Sequence, residues 1–213
     1  YAASVGNWIM RHEPEIWART AKYVMLPTYL NYKLTGNLID SASNQIGHIP
    51  FDYKNRRWMK PGSLTRCFCD VPNEKLCDLV PSGTVIGTVT DEVCALTGIP
   101  AGLPLISTGS DKGCETLGLA VVDSDKASIS LGTTATIQFS TTEYVEPQQF
   151  LPAYPGVLND HYNPEIEIYR GLWLLSWFVK EFGTADAIDA KEKGIAPEAL
   201  LDERIRELYG EES

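Results

Sequence analysis

A strand-like segment that ends in a single carboxylate constrains this chain more than any other feature. Residues 106–113 read Ile-Ser-Thr-Gly-Ser-Asp-Lys-Gly, which predicts a short buried strand, a turn, and a helix that begins at Asp111. Further along, residues 129–136 predict a strand that turns on a Gly-Thr-Thr corner and runs back. A carboxylate and a Gly/Thr corner are typical of phosphoryl-transfer sites, where one group removes a proton from a hydroxyl and a loop donates hydrogen bonds to phosphate oxygens.

Helices and short strands alternate along the 213 residues, which predicts an α/β fold. Residues 4–35 predict helices, and Thr90 predicts the N-cap of a later helix that ends at Gly98. Residues 38–58 and 143–165 are rich in turn-forming residues, so we expect them to be irregular.

The formal net charge of −10 argues against nucleic acid as the main partner, because phosphate backbones are bound through an excess of Lys and Arg. An acidic chain can still bind a nucleotide, since a small phosphate site needs only local donors and Mg2+. The longest apolar run, residues 172–179, is broken by Ser176 and is shorter than a membrane span. The sequence therefore predicts neither a nucleic-acid polymer nor a membrane as a partner.

Five cysteines, an odd number, occur without a regular framework, which favours reduced thiols in a cytoplasmic protein. Cys67, Cys69 and Cys77 lie closest together, but their spacing fits no common zinc pattern. We therefore expect ordinary, partly buried thiols, and no residue is predicted to bind a metal ion. No catalytic role is predicted for the scattered histidines, which are His12, His48 and His161.

A set of longer motifs resembles the FGGY family of carbohydrate kinases, which includes xylulokinases and glycerol kinases. A single short motif of this kind occurs widely by chance, but here the whole set follows the family's order over most of the chain. The motifs are residues 27–36, 41–45, 80–90, 96–104, 108–111 and 128–134.

This resemblance implies the actin/hexokinase-like ATPase fold, also called ribonuclease H-like, with nucleotide and sugar in the cleft between two domains. Residues 1–122 would be the C-terminal part of the first, sugar-binding domain. Residues 123–213 would be the N-terminal part of the second, nucleotide-binding domain. Family members are more than twice this length, so we expect an internal fragment with an incomplete two-domain fold. The family's Asp-Gly-Thr phosphate loop and Gly-rich adenosine motif are missing here, so the isolated segment is expected to be inactive.

The resemblance also implies roles for individual residues. Asp111 would be the catalytic base that takes the proton from a sugar or polyol hydroxyl as it attacks the γ-phosphate. Gly132, Thr133 and Thr134 would contact phosphate oxygens of ATP, and Gly171 would lie at the nucleotide site. ATP and Mg2+ are the implied cofactors, with the metal held largely through phosphate oxygens and water.

Each of these roles has a structural alternative. Asp111 belongs to a residue type that commonly serves as a helix N-cap, residues 132–134 could form an ordinary turn, and Gly171 could be a helix-start glycine without a ligand. Lys112 stands where many family members have Gln or Asn and would be a second substrate contact. It would favour a substrate with a carboxylate or phosphate, or it would point to solvent.

Two further groups allow more than one interpretation. The rings of Trp173, Trp177 and Phe178 could stack on a sugar, but their near-helical spacing favours core or domain packing. Glu165 and Glu167 could be the paired carboxylates of a glycoside hydrolase, but nothing else in the sequence fits that chemistry, so a solvated strand face is favoured.

The sequence thus predicts an enzyme that phosphorylates a sugar or polyol hydroxyl with ATP. The alternative is a non-catalytic or degenerate kinase-like scaffold that binds a sugar or a protein. The identity of the sugar, the hydroxyl that is phosphorylated and the oligomeric state, with a homodimer among the options, are left open.

Overall fold

The computed structural model describes residues 2–47, 50–149 and 151–210, so His48 lies outside the described residues. The chain divides into two compact units. The first contains Tyr1–Ser128 and Gln138–Glu165, and the second contains Ile129–Ile137 and Ile166–Ser213. The domain boundary implied by the family resemblance, between residues 122 and 123, stays a prediction.

Helices make up much of both units. The α-helices in the described ranges are α1 (Ala2–His12), α2 (Pro14–Arg19), α3 (Leu26–Thr35), α4 (Asp91–Thr97), α5 (Asp111–Gly118), α6 (Trp173–Phe182), α7 (Thr184–Lys193) and α8 (Pro197–Tyr209). Short 3-10 helices cover Ala42–Asn44, Leu64–Phe68 and Asn73–Lys75. Of the helices in these ranges, none has both the length and the apolar character needed to span a bilayer.

The strands are short and form small sheets. They are β1 (Ile39–Ser41), β2 (Phe51–Asp52), β3 (Arg57–Trp58), β4 (Asp78–Val80), β5 (Val85–Thr88), β6 (Pro104–Ile106), β7 (Ala127–Leu131), β8 (Ala135–Phe139), β9 (Tyr154–Pro155), β10 (Tyr162–Asn163) and β11 (Glu165–Ile168). β1 and β4 pair in parallel, whereas β2 with β3, β5 with β6, and β9 with β10 are antiparallel pairs. The three-stranded sheet has the order β11-β8-β7.

Helix-end signals in the sequence are confirmed where they were clearest. The Thr90 hydroxyl accepts a hydrogen bond from the N–H of Val93 at 3.3 Å, so Thr90 is the N-cap of α4. Gly36 and Gly98 follow α3 and α4 with φ values of +79°, a conformation that glycine adopts without a steric penalty.

The prediction that residues 38–58 and 143–165 are irregular is wrong in part, because both segments contain short strands. β1 includes the buried polar residues Asp40 and Ser41, so its sequence shows no alternation of apolar and polar residues. In the later segment, β9 and β10 are joined by a turn in which the N–H of Gly156 donates to the carbonyl of His161 at 2.8 Å. Apolar periodicity does not detect strands of this length and composition.

One prediction of burial is also wrong. Ile106, in the strand that leads towards Asp111, is 52% exposed. Trp173, Trp177 and Phe178 are 42%, 45% and 45% exposed, and no residue of α6 is buried. These rings therefore do not form a buried core in the described part of the second unit, and their packing against another domain stays a prediction.

The core of the first unit lies beside the N-terminal helices. Its buried residues Cys69, Val71 and Leu76 pack against partly buried aromatic and apolar side chains, which are Met10, Trp17, Tyr23 and Trp58. Cys69 and Cys77 are buried free thiols, while the side chain of Cys67 falls outside the described residues. Over the described ranges, no group of three or more His, Cys, Asp or Glu side chains is arranged to hold a metal ion.

The buried thiol of Cys77 predicts a pH dependence of stability. Burial raises the pKa of Cys77 from its ordinary value of 9.0 to about 11, because a thiolate loses its solvation in the core. The unfolded chain therefore ionises this thiol first, and stability is lost as the pH rises from 9 towards 11. The loss should reach roughly 2–3 kcal/mol.

Thermal unfolding at neutral pH and near the upper end of that range tests this expectation. We expect a smaller loss of stability with pH in Cys77→Ala than in the wild type. Cys114→Ala, which alters an exposed thiol, should behave like the wild type. An identical pH dependence in wild type and Cys77→Ala would show that the thiol does not contribute.

Candidate functional site

The carboxylate of Asp111 lies at the start of a helix but does not cap it. Ser110 is the N-cap of α5, since its hydroxyl accepts the N–H of Gly113 at 3.1 Å. The alternative that Asp111 is the cap is therefore wrong, and Asp111 is the first helical residue. One of its carboxylate oxygens accepts the N–H of Lys112 at 2.8 Å. An anion at this position is stabilised by the helix dipole.

Asp111 faces an open cleft of about 670 Å³ in the first unit. One wall of the cleft is formed by residues of α3, and another by the segment that leads from β6 into α5. The volume is in the range of pockets that hold small organic molecules. Asp111 is exposed, so its carboxylate is accessible to a hydroxyl-bearing ligand.

A second carboxylate, Asp40, also lines this cleft but is used internally. Asp40 is 2% exposed and accepts hydrogen bonds from the Thr28 hydroxyl at 2.7 Å and the Ser41 N–H at 2.8 Å. The amide nitrogen of Asn44 lies 3.1 Å from both of its carboxylate oxygens. These neutral donors satisfy the buried carboxylate, which leaves Asp111 as the better candidate for chemistry.

The contact with Asp40 determines how Asn44 is oriented. The Asn44 nitrogen donates to Asp40, so the amide oxygen of Asn44 faces elsewhere. Asn44 is half-buried and lines the same cleft as Asp111. Sequence reasoning missed this pair, although an Asp and an Asn four residues apart around a serine-rich turn were the available signal.

Lys112 is engaged with its own helix. Its ammonium lies 2.9 Å from a carboxylate oxygen of Glu115, one turn further along α5. The two side chains are 32% and 52% exposed, and ion pairs this accessible to solvent contribute little to stability. A contact between Lys112 and a substrate anion stays a prediction, and so does the alternative that Lys112 points to solvent.

The second unit brings together the residues that were predicted to contact nucleotide. Between β7 and β8, the N–H of Gly132 donates to the carbonyl of Thr134 at 2.9 Å and closes a tight turn. The N–H of Gly171 donates to the carbonyl of Thr133 at 2.8 Å, and that of Leu172 to the carbonyl of Gly132 at 2.9 Å. The turn carbonyls thus satisfy N–H groups just before α6, a place where helix donors are usually free.

The remaining donors of this turn suit a phosphate group. Within the described ranges, the N–H and hydroxyl groups of Thr133 and Thr134 form no hydrogen bond. Gly132 and Thr133 are exposed, and a Cβ on Gly132 would meet no atom closer than 4.0 Å. Consecutive free N–H groups beside a glycine are the kind of donor set that binds phosphate oxygens.

Gly171 has a structural requirement of its own. A Cβ at this position would lie 1.8 Å from the carbonyl oxygen of Gly132 and 2.8 Å from that of Thr134. Both are backbone atoms, so no rotamer change relieves the overlap. Gly171 therefore lets the chain before α6 approach the turn closely, and a direct nucleotide contact stays a prediction.

The sequence pattern of the FGGY family of carbohydrate kinases, N-terminal domain, matches residues 1–118. The chain belongs to this family. It is 32% identical over 177 residues to an Escherichia coli K12 protein described as an uncharacterized sugar kinase, covering 83% of this chain and 36% of the relative. It is 28% identical over 181 residues to the xylulose kinase of Escherichia coli K12, covering 84% of this chain and 36% of that enzyme.

A solved structure supports the fold that this family implies. The ligand-bound xylulose kinase of Lactobacillus acidophilus matches with a TM-score of 0.75 at 20% identity, over 94% of this chain and 38% of that one. The predicted actin-like ATPase fold is therefore confirmed. The chain spans 36% of the length of the curated relatives named above.

Proposed function

We propose that this chain contributes to an ATP-dependent kinase that phosphorylates a hydroxyl group of a sugar or polyol. The observation that carries the proposal is the position of Asp111, an exposed carboxylate at the start of α5 on the wall of a 670 Å³ cleft. Membership of the carbohydrate kinase family supports it. Residues 1–122 would belong to the sugar-binding domain and residues 123–213 to the nucleotide-binding domain.

In this mechanism, Asp111 accepts the proton of the attacking hydroxyl while the new oxygen–phosphorus bond forms. A general base must accept a proton, and the N-terminus of α5 is a favourable position for a negatively charged side chain. The hydrogen bond from the N–H of Lys112 at 2.8 Å also stabilises the negative charge.

The phosphate groups would be bound by the turn of the second unit. Thr133 and Thr134 have N–H and hydroxyl donors left over, and Gly132 leaves room for a close approach. Gly171 would act at this site by holding the turn in shape. ATP supplies the transferred phosphoryl group, and Mg2+ would be held largely through phosphate oxygens and water.

The polyhydroxylated substrate would use further groups around Asp111. The amide oxygen of Asn44 faces away from Asp40 and would accept a hydrogen bond from a second hydroxyl. Lys112 would be a second substrate contact on α5, and a substrate anion would compete with Glu115 for its ammonium. Because a relative is a xylulose kinase, D-xylulose is the first substrate to test.

The test is sugar-dependent ADP formation, measured for the 213-residue chain and for the whole open reading frame that encodes it. D-xylulose, glycerol and D-gluconate are suitable acceptors, and mass spectrometry identifies the phosphate ester. We expect turnover with at least one acceptor for the complete gene product and none for the isolated chain. If the complete product binds a sugar, seen as a raised unfolding midpoint, but turns over none, the non-catalytic scaffold replaces the kinase.

A further inference from the structure

Three serine hydroxyls converge on one backbone carbonyl beside the candidate base. This serine cluster consists of Ser41, Ser43 and Ser82, and the shared acceptor is the carbonyl oxygen of Thr108. The hydroxyls of Ser43 and Ser82 lie 3.0 Å and 2.9 Å from that oxygen, and that of Ser41 is also within hydrogen-bond distance of it. The serines are 0%, 3% and 9% exposed in sequence order.

Every hydroxyl proton of the cluster has an acceptor within reach. A carbonyl oxygen has two lone pairs and each serine has one hydroxyl proton, so two serines donate to Thr108 and the third donates to a neighbouring hydroxyl. Contacts between Ser41 and Ser43 and between Ser43 and Ser82 provide that path. The cluster is therefore a closed network in which every proton has an acceptor, and such networks hold their groups rigidly.

The network holds the turn that leads to Asp111. Thr108 starts this turn, and the N–H of Ser110 donates to the carbonyl of Ser43 at 3.1 Å. Between them, a Cβ on Gly109 would lie 2.6 Å from a methyl group of Val157 and 3.0 Å from the Ser43 hydroxyl. The turn is thus fixed by hydrogen bonds to the serine cluster and by tight packing against Val157.

We propose that the serine cluster positions Asp111 for proton removal, so that Ser43 and Ser82 are positioning residues of the kinase reaction. This inference rests on the proposed function. The cluster touches no reacting atom in the proposed mechanism. It acts by fixing the carbonyl of Thr108 three residues before the base, and a shift of a catalytic group by about 1 Å can lower a rate about 100-fold.

The kinetic test compares Ser43→Ala, Ser82→Ala and Ser82→Thr in the complete gene product, with D-xylulose as the acceptor. Each alanine variant should lower kcat at least about tenfold with little change in KM, because the base is misplaced while the substrate contacts remain. Ser82→Thr keeps the hydroxyl, and Ser82 lines a cavity of about 390 Å³ with room for the extra methyl group. This variant should therefore keep the kcat of the wild type. Ser63→Ala is the control, because the half-buried Ser63 also donates its hydroxyl to a backbone carbonyl, that of Lys60 at 2.8 Å, but lines neither the cleft nor the serine cluster.

Hydrogen exchange of the peptide that covers residues 106–113 separates the two claims. Exchange should accelerate in Ser43→Ala and Ser82→Ala but not in Ser63→Ala, whether or not the protein is a kinase. Faster exchange without a fall in kcat would overturn the positioning role, as would an equal fall in kcat in Ser63→Ala. If exchange changes in the variants as expected but the wild type phosphorylates no acceptor, the proposed function fails. The catalytic role of the cluster then fails with it.

Discussion

Asp111→Asn is expected to lower sugar-dependent ATP consumption by roughly 10²- to 10⁴-fold, the range that general-base catalysis contributes. Asparagine has nearly the same shape but cannot accept a proton at neutral pH. It can still accept the N–H of Lys112, so the start of α5 should be preserved. We expect kcat to fall while KM changes little, measured as ADP release by the complete gene product with D-xylulose.

Asp91→Asn provides a matched control for this substitution. Asp91 is the first residue of α4 and follows the N-cap Thr90, as Asp111 follows Ser110 in α5. Both variants lose one favourable interaction with a helix dipole, which is worth about 0.3–1 kcal/mol. Their stabilities should therefore change alike, and only Asp111→Asn should lose activity. Retained turnover in Asp111→Asn would show that Asp111 is not the general base of the reaction.

The family resemblance predicted more of the fold than residue patterns alone. Thr90 and the glycine after α4 follow from capping rules, and the paired strands around the Gly-Thr-Thr corner follow from alternation. The short strands β1, β9 and β10 do not, because their side chains are mainly polar, proline or tyrosine. The ordered set of motifs indicated the actin-like ATPase fold, which no single helix or strand specifies.

The residue types of the candidate site could be predicted from the sequence, but the contacts that hold them in place could not. Sequence alone placed Asp111 at a helix start with an N-cap as its structural alternative, whereas the contact with Gly113 shows that Ser110 is the cap. The serine cluster joins residues separated by up to 67 positions, and local rules do not predict contacts over that distance. Gly171 was predicted as a nucleotide-site residue, whereas its clearest role in the structure is close packing of backbone against backbone.

That packing makes Gly171→Ala the substitution with the largest expected effect on stability. The added Cβ would overlap backbone atoms of Gly132 and Thr134, so the chain before α6 must move away from the turn. The hydrogen bonds from Gly171 and Leu172 to the turn carbonyls would break. Overpacking of this kind together with two lost hydrogen bonds should cost about 2–4 kcal/mol. Hydrogen exchange should accelerate in residues 129–137 and in α6 before any change in α5.

Gly132→Ala separates the shape of the turn from its use. A Cβ on Gly132 meets no atom closer than 4.0 Å, so this variant should keep the unfolding midpoint and the exchange pattern of the wild type. If phosphate oxygens approach the turn closely, Gly132→Ala should nevertheless raise the KM for ATP, because the methyl group occupies that space. Wild-type stability in Gly171→Ala would contradict the packing argument, and a wild-type KM for ATP in Gly132→Ala would place the phosphates elsewhere.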